Sequence, residues 1–400
     1  MKSAEVLERF SLGAALKLSE LERYDNAPLL HRLREREPVT WFAEQGVWLV
    51  TSKALFDELQ MDPERFVVDV PDNPQHVVLG RQMLVVDGAE HTRHRAPFAG
   101  PFKYSAVRRQ FTDLVGATVD RLLDTISARG EVELGAAFAS PFAVSVASDV
   151  LGLGLDQVEE VHDIYTGFAE GMVGYRDPDA VARAMRGRAR LAELLAPRIE
   201  RLGADPDDSM LAAAMHDGEA SWRTREELEA NLRLILFGAV ETVESMILNT
   251  TWALLHHPEQ VRLLAADPDL WPSAVQEGLR WAPPVGYTDR WASTDTELGG
   301  IPIARGDYLL GIIHAANRDP SVFPDPDRFD ITRDIRRVNF SFGKGIHMCL
   351  GVNLARLQGA TALRRLFERL PGLRLDPAHP TEPVGFNFRR PPHLHVLWDH

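Results

Sequence analysis

The sequence predicts a mainly α-helical chain with small β-sheets, on three observations. Apolar residues recur at three and four positions through most of the chain. One helical stretch is long enough to cross a whole domain. Strand-like runs are short and confined to the two ends and to residues 297 to 313. No linker-like tract and no fixed-period repeat interrupts it, so residues 1–400 are expected to form one domain.

In chain order, Val39 to Phe42 and Val47 to Thr51 predict a hairpin joined through Gly46, followed by a helix from Ser52 to about Gln60. Residues 67 to 86, with Pro71 and Pro74 among Asp and Asn, predict a long loop. Helical periodicity then runs over Ser105–Arg129, Ala139–Leu151, Asp156–Gly167 and Ala180–Leu202. The longest helix opens at Thr224, which forms a capping box with Glu227, and runs to His257, where Pro258 stops it. Its middle, Leu232 to Leu248, is apolar nearly all round and predicts burial. Into it the sequence inserts Gly238, Glu241 and Thr242, and burying a carboxylate and a hydroxyl is costly unless both are satisfied. Two explanations stand: Glu241 faces a polar gap while Thr242 back-bonds to the Gly238 carbonyl, or the pair does chemistry.

Composition excludes several function classes. The formal charge, 44 − 58 = −14, repels a polyanion, and no basic stripe offsets it, so no nucleic-acid partner is expected. Lys2, Glu5, Glu8, Arg9, Lys17, Glu20, Glu22 and Arg23 break up the first thirty residues, against a secretory core or a membrane anchor. A soluble cytoplasmic protein is the expectation. One cysteine excludes an internal disulfide and a multi-cysteine cluster held by one chain.

That cysteine, Cys349, lies in Phe-Gly-Lys-Gly-Ile-His-Met-Cys-Leu-Gly, residues 342–351, just before a predicted helix from about Leu350 to Leu370. A helix N-terminus favours thiolate over thiol. Gly343, Gly345 and Gly351 permit positive φ and close backbone approach, so the chain can curl under a flat ligand. An inert buried cysteine, a cysteine nucleophile and an iron ligand are the competing readings. Covalent c-type haem attachment needs two cysteines and a following histidine, and fails here.

The spacing Phe342, Gly345, His347, Cys349, Gly351 resembles the haem-ligand loop of the cytochrome P-450 family. Further segments resemble the family in order. Glu277 and Arg280, otherwise a surface ion pair at i, i+3, resemble its Glu-x-x-Arg pair. Arg290 with Asp295 to Gly306, and Asn317 to Asp330, resemble the segments that lead to the cysteine loop and brace it. Gly238 to Thr242 resemble the oxygen-activation segment, with Ala239 where glycine is usual, and the segment before His91 lacks the usual prolines. The likeness runs from about residue 25 to Pro391, Pro392 and Leu394.

The resemblance implies a single-domain cytochrome P-450 fold whose long central helix crosses over haem b. It implies Cys349 as the iron ligand; His91, Arg95, Arg290 and His347 as propionate partners; and Phe342, Gly343 and Gly351 along the haem. Glu277 and Arg280 are then structural, and Glu241 and Thr242 deliver protons. Leu234, Gly238, Val285, Gly286, Tyr287 and Phe388 are placed at the substrate pocket, with the 67–86 loop, Phe168 to Tyr175 and Phe386. The implied activity inserts one atom of dioxygen into a small hydrophobic substrate, with electrons from a separate ferredoxin or flavodoxin and its reductase. A basic patch of Lys103, Arg108, Arg109, Arg333, Arg336, Arg337 and Lys344 would steer that donor. The alternatives are a peroxide-driven peroxygenase of the same fold, which would typically lack the Glu241–Thr242 pair, and a non-catalytic haem-binding protein, which has no use for it.

Overall fold

The computed structural model describes residues 4–216, 224–334 and 339–399. Helices dominate, as the periodicity predicts, and the central helix spans Arg225–His256. Thr224 starts it by accepting the Glu227 N–H at 3.3 Å, but the Glu227 carboxylate is drawn to the Arg93 guanidinium at 2.8 and 2.9 Å. Pro258 begins the next helix after a break at His257.

Three helices grip the C-terminal half of this rod: Ser140–Val150, Trp271–Trp281 and Val352–Arg369. Two glycines set how closely they approach. A Cβ on Gly278 would lie 2.3 Å from the Thr250 hydroxyl oxygen, and one on Gly359 would lie within 3.1 Å of both Met246 and Val275. Both positions are closed to any side chain without a shift of the packing.

The N-terminal half of the rod is less enclosed than its composition suggests. Leu234, Ile235, Ala239, Glu241 and Thr242 are half-buried and Gly238 is exposed, so over this stretch the chain's own packing covers one side of the helix and not the other. These residues recur at helical spacing and form one open stripe. Thr242 donates to the Gly238 carbonyl at 2.7 Å, the back-bond expected from sequence.

The largest sheet runs in the order Val39–Phe42, Val47–Val50, Tyr308–Ile312, Tyr287–Ala292, Phe66–Val67, antiparallel except where Val47–Val50 meets Tyr308–Ile312. A second, antiparallel sheet runs in the order Glu131–Glu133, His395–Leu397, Arg374–Leu375, with His395–Leu397 in the middle. That mid-chain strand corrects the expectation that strands keep to the ends and to 297–313. Glu-Val-Glu is too short to show an alternation that marks a strand, and the pairing comes from the distant C-terminal strand.

The 67–86 segment is not one loop. It begins in the edge strand Phe66–Val67 and contains a helix, Pro74–Leu79, with Asn73 accepting the Gln75 N–H at 3.0 Å. Other helices shift at their ends. Asp156–Gly167 is a short 3₁₀ turn followed by α-helix Val158–Val173, and the helix after the cysteine starts at Val352. No helix among the described residues is long and apolar enough to cross a membrane.

Candidate active site

Cys349 sits in a loop closed by its own backbone. The Cys349 N–H donates to the Phe342 carbonyl at 2.8 Å, Met348 N–H to Gly345 at 3.2 Å and Gly343 N–H to Phe340 at 2.9 Å. Gly343 and Gly345 adopt φ of +66° and +68°, and a Cβ on Gly345 would lie 2.4 Å from the Gln60 carbonyl. Only glycine fits there. Gly351 departs from the expectation of positive φ: at −81° it stands as the N-cap of the following helix, where a Cβ would sit 3.9 Å from the Cys349 sulfur. Burial pushes the Cys349 thiol up, against the pull of the Gly351 N–H, Arg95 and Arg356. Burial thus opposes the thiolate that the helix terminus favours, and a metal cation bonded to the sulfur would offset that opposition.

On one side of the loop the four expected polar partners converge. His91 and His347 stack edge to face at 4.6 Å, each with one buried ring nitrogen lacking a protein partner: Nε2 of His91 and Nδ1 of His347. His347 Nε2 bonds Asp87 at 3.0 Å. Although burial works against it, the Asp87 carboxyl is held below its ordinary range by His347 and by the Val68 and Asp69 N–H groups. Burial, then the charges of His347 and Arg95, holds His91 down at about 4, so near neutrality it is an uncharged donor. Permanent positive charge is supplied by two guanidiniums. Arg290 is buried and donates to Gln60 at 2.8 Å; Arg95, half-buried, donates to the Met348 carbonyl at 2.6 Å.

Burying polar atoms without partners costs about 1–3 kcal/mol each. Two orphaned imidazole nitrogens beside two guanidiniums fit a ligand carrying paired carboxylates, and the half-buried cysteine sulfur fits a soft metal. Haem b offers both.

Glu277 and Arg280 are not the surface pair their spacing allows, since both are almost wholly buried. Arg280 donates from Nε and Nη2 to the two Glu277 oxygens at 2.7 and 2.8 Å, and its remaining hydrogens go to the carbonyls of Asn317, Pro326 and Arg328 at 2.7 to 3.0 Å. Glu277 also accepts the Asp330 N–H at 2.8 Å. Asn317 carries the brace onward, to Phe340 N–H at 2.8 Å and to the Ser341 hydroxyl at 2.9 Å. The pair is thus bonded, in two steps, to the strand of chain that enters the cysteine loop.

Glu241 turns away from Thr242 toward the Val158–Val173 helix, where Tyr165 donates its hydroxyl to Oε2; Arg390 Nε lies 3.6 Å from Oε1. Of the expected pocket residues, Leu234 and Gly238 lie on the open stripe, and Val285 bridges Phe388, whose ring stands 6.0 Å from that of Phe237. Gly286 is locked against the C-terminal segment, since a Cβ would meet the Phe386 carbonyl at 1.9 Å. Tyr287 lies on the strand face opposite Thr288 and Arg290, its ring 4.9 Å from that of Phe386 in the cluster built with Leu16, Leu21 and Leu30.

The basic patch needs correction. Lys344 is paired with Asp57 at 2.8 Å, and Arg333 donates to the Pro324 and Asp325 carbonyls. Arg336 and Arg337 lie outside the described residues. Lys103, Arg108 and Arg109 are exposed, near exposed Tyr104. Sequence reasoning missed Gln60, Asp87, Tyr165, Arg356 and Arg390. Of these only Asp87, the cap of the helix that carries His91, left a local signal.

A protein-family model described as Cytochrome P450 matches residues 269–384. The chain is 33% identical over 362 residues to 6-deoxyerythronolide B hydroxylase of Saccharopolyspora erythraea, covering 86% of this chain and 88% of that protein. It is 34% identical over 366 residues to Vitamin D(3) 25-hydroxylase of Pseudonocardia autotrophica, covering 87% of each. Among solved structures it is similar to CalO2, with TM-score 0.85 and 29% identity over 94% of this chain and 96% of that one. It is also similar to P450BioI in complex with a hexadec-9Z-enoic acid ligated acyl carrier protein, with TM-score 0.84 and 29% identity over 94% and 99%. With that coverage and the braced cysteine loop, the chain belongs to the cytochrome P450 family and is a monooxygenase that uses haem b.

Proposed function

We propose that this enzyme oxygenates a small hydrophobic molecule, drawing electrons from a separate ferredoxin or flavodoxin, with Cys349 holding the haem iron and Glu241 and Thr242 serving proton delivery. Bound haem supplies the reductive activation of dioxygen. His91, His347, Arg95 and Arg290 bind its propionates and fix its orientation, and Phe342, Gly343 and Gly351 belong to the loop that faces it. Thr242, on the open stripe, orders a water at the reacting side, and Glu241 ferries protons to it from solvent. Leu234, Gly238, Val285, Gly286 and Phe388 shape an apolar pocket, to which Tyr287 contributes through its packing on Phe386.

The observation that carries this reading is Glu241 itself: an ionisable group beside a threonine on the open stripe, turned to a solvent cleft and held there by a tyrosine. A compound library screened for shifts of the haem spectrum supplies the substrate. With that compound, reductant and ¹⁸O₂, the product is expected to carry one labelled oxygen. Efficient turnover on hydrogen peroxide alone, with no gain from reductant, would overturn it in favour of a peroxygenase.

For the electron donor, the exposed cations are Lys103, Arg108 and Arg109. The Asn353 amide donates to the Phe102 carbonyl at 3.0 Å, which ties this corner to the helix after Cys349. Arg108→Glu is expected to slow reduction by an acidic ferredoxin roughly tenfold at low ionic strength and to flatten its salt dependence. Lys344→Glu has the smaller effect, its charge being already met by Asp57. Stopped-flow reduction across a salt series checks both, and an unchanged Arg108→Glu rate removes this surface from the docking site.

A further inference from the structure

We propose that Glu244 is a positioning residue for proton delivery: it engages Arg390 and so keeps that cation from clamping Glu241. The inference rests on the reading of Glu241 as proton carrier and adds the device that keeps it able to carry.

Behind the central helix lies a cleft of about 360 Å³, lined among others by His162, Tyr165, Glu241, Glu244 and Arg390. Glu241 and Glu244 stand at i and i+3 on one helix edge, and one guanidinium serves both. Arg390 bonds Glu244 through Nη1, while its Nε stands 3.6 Å from Glu241, outside hydrogen-bond distance. The Glu244 side chain is 8% exposed and that of Glu241 13%, so the bonded carboxylate is the deeper one. The other carboxylates lining the cleft are occupied. Glu133 accepts the N–H groups of Gly135, Ala136 and Leu394, and Glu170 pairs with Arg183. Arg390 is therefore the cation within ion-pair reach of Glu241 among the described residues. A backbone pairing with Val384 tethers it, so its guanidinium stays within reach of both carboxylates, bonded to Glu244 and in a looser ion pair with Glu241.

The consequence follows from charge. A carboxylate forked by a guanidinium is held in its charged form and resists taking up a proton. With Glu244 in place, the Arg390 charge is met by a counter-charge, and the Glu241 hydrogen-bond partner is the neutral Tyr165 hydroxyl. Burial and Glu241 itself hold that phenol above its ordinary range, so it stays a donor. In each cycle Glu241 takes a proton from cleft water, passes it to the Thr242 side and returns to carboxylate. Only O–H bonds form and break, and bulk solvent makes up the proton.

The isosteric variant Glu244→Gln, prepared as holoenzyme, frees Arg390 to fork Glu241. Its crystal structure is expected to show Arg390 bonded to Glu241 and the Tyr165 hydroxyl released. With the tightest-binding compound of the spectral screen as probe, product formed per reductant is expected to fall about tenfold, the effect of one unit of proton affinity. The double variant Glu244→Gln/Arg390→Gln, which removes the trapping cation, restores it to within about twofold. Coupling unchanged in Glu244→Gln, an Arg390 that stays off Glu241, or failure of the double variant to restore coupling each overturns the proposal. Glu241→Gln separates the two levels: if it stays coupled, the proton-carrier reading falls, whereas if it uncouples and Glu244→Gln does not, only the role of Glu244 falls.

Discussion

Arg280→Lys is expected to yield protein that accumulates without haem or does not accumulate folded at all. Lysine offers one point of charge where Arg280 fills five hydrogen-bond positions, on both Glu277 oxygens and on the carbonyls of Asn317, Pro326 and Arg328. Breaking a buried pair from one side costs about 3–5 kcal/mol, against roughly 5–15 kcal/mol for a whole domain. Glu277→Gln belongs to the same class, since it leaves the buried guanidinium without a counter-charge. Replacing both with apolar residues of similar volume is often harmless for a buried ion pair. Here it is not expected to rescue, because three carbonyls lose their donor. Haem content per protein by absorbance, with thermal unfolding, reads the outcome. An Arg280→Lys protein with full haem content and unchanged stability would show that the brace is dispensable.

Thr242→Ala is expected to keep consuming reductant while the electrons leave as hydrogen peroxide, with product per reductant reduced on the order of a hundredfold, the low end for a positioned proton-transfer group. The substitution also removes the back-bond to Gly238, which relaxes the local helix, so Thr242→Ser is the control that keeps the hydroxyl and the bond. Peroxide and product measured together in both variants decide it. Full coupling in Thr242→Ala would remove the hydroxyl from the chemistry.

The cysteine loop could be read in the sequence because glycine geometry and the Phe-to-Gly spacing are local constraints, whereas its polar partners came only from the resemblance to the cytochrome P-450 family. Gly343 and Gly345 take the positive φ that their residue type announces. The central helix was legible for the same reason, through Thr224 at its start and Pro258 at its end. What escaped was set by distant chain. Glu277 and Arg280 at i, i+3 look alike on a surface and in a core, so their structural role came from the resemblance and what escaped was the set of carbonyls in the 317–328 segment that they hold. Tyr165 and Arg390 meet Glu241 from two separate elements, and neither carries a local mark. Composition reports the apolarity of the central helix and not whether a neighbouring part of the chain covers it. Leu234 and Ala239 are as apolar as Leu232 and Val240, yet they lie on the open stripe. The same limit hid the strand Glu131–Glu133, whose charged residues are held by pairing with His395–Leu397.

The central claim is that the Cys349 sulfur ligates the iron of a buried haem. The Soret band of the reduced, carbon-monoxide-bound protein tests it most directly, compared with Cys349→Ala made under the same haem-replete conditions. The account predicts a strongly red-shifted band in the parent protein and its absence in the variant. A colourless parent protein, or a variant that keeps the red-shifted band, would contradict it.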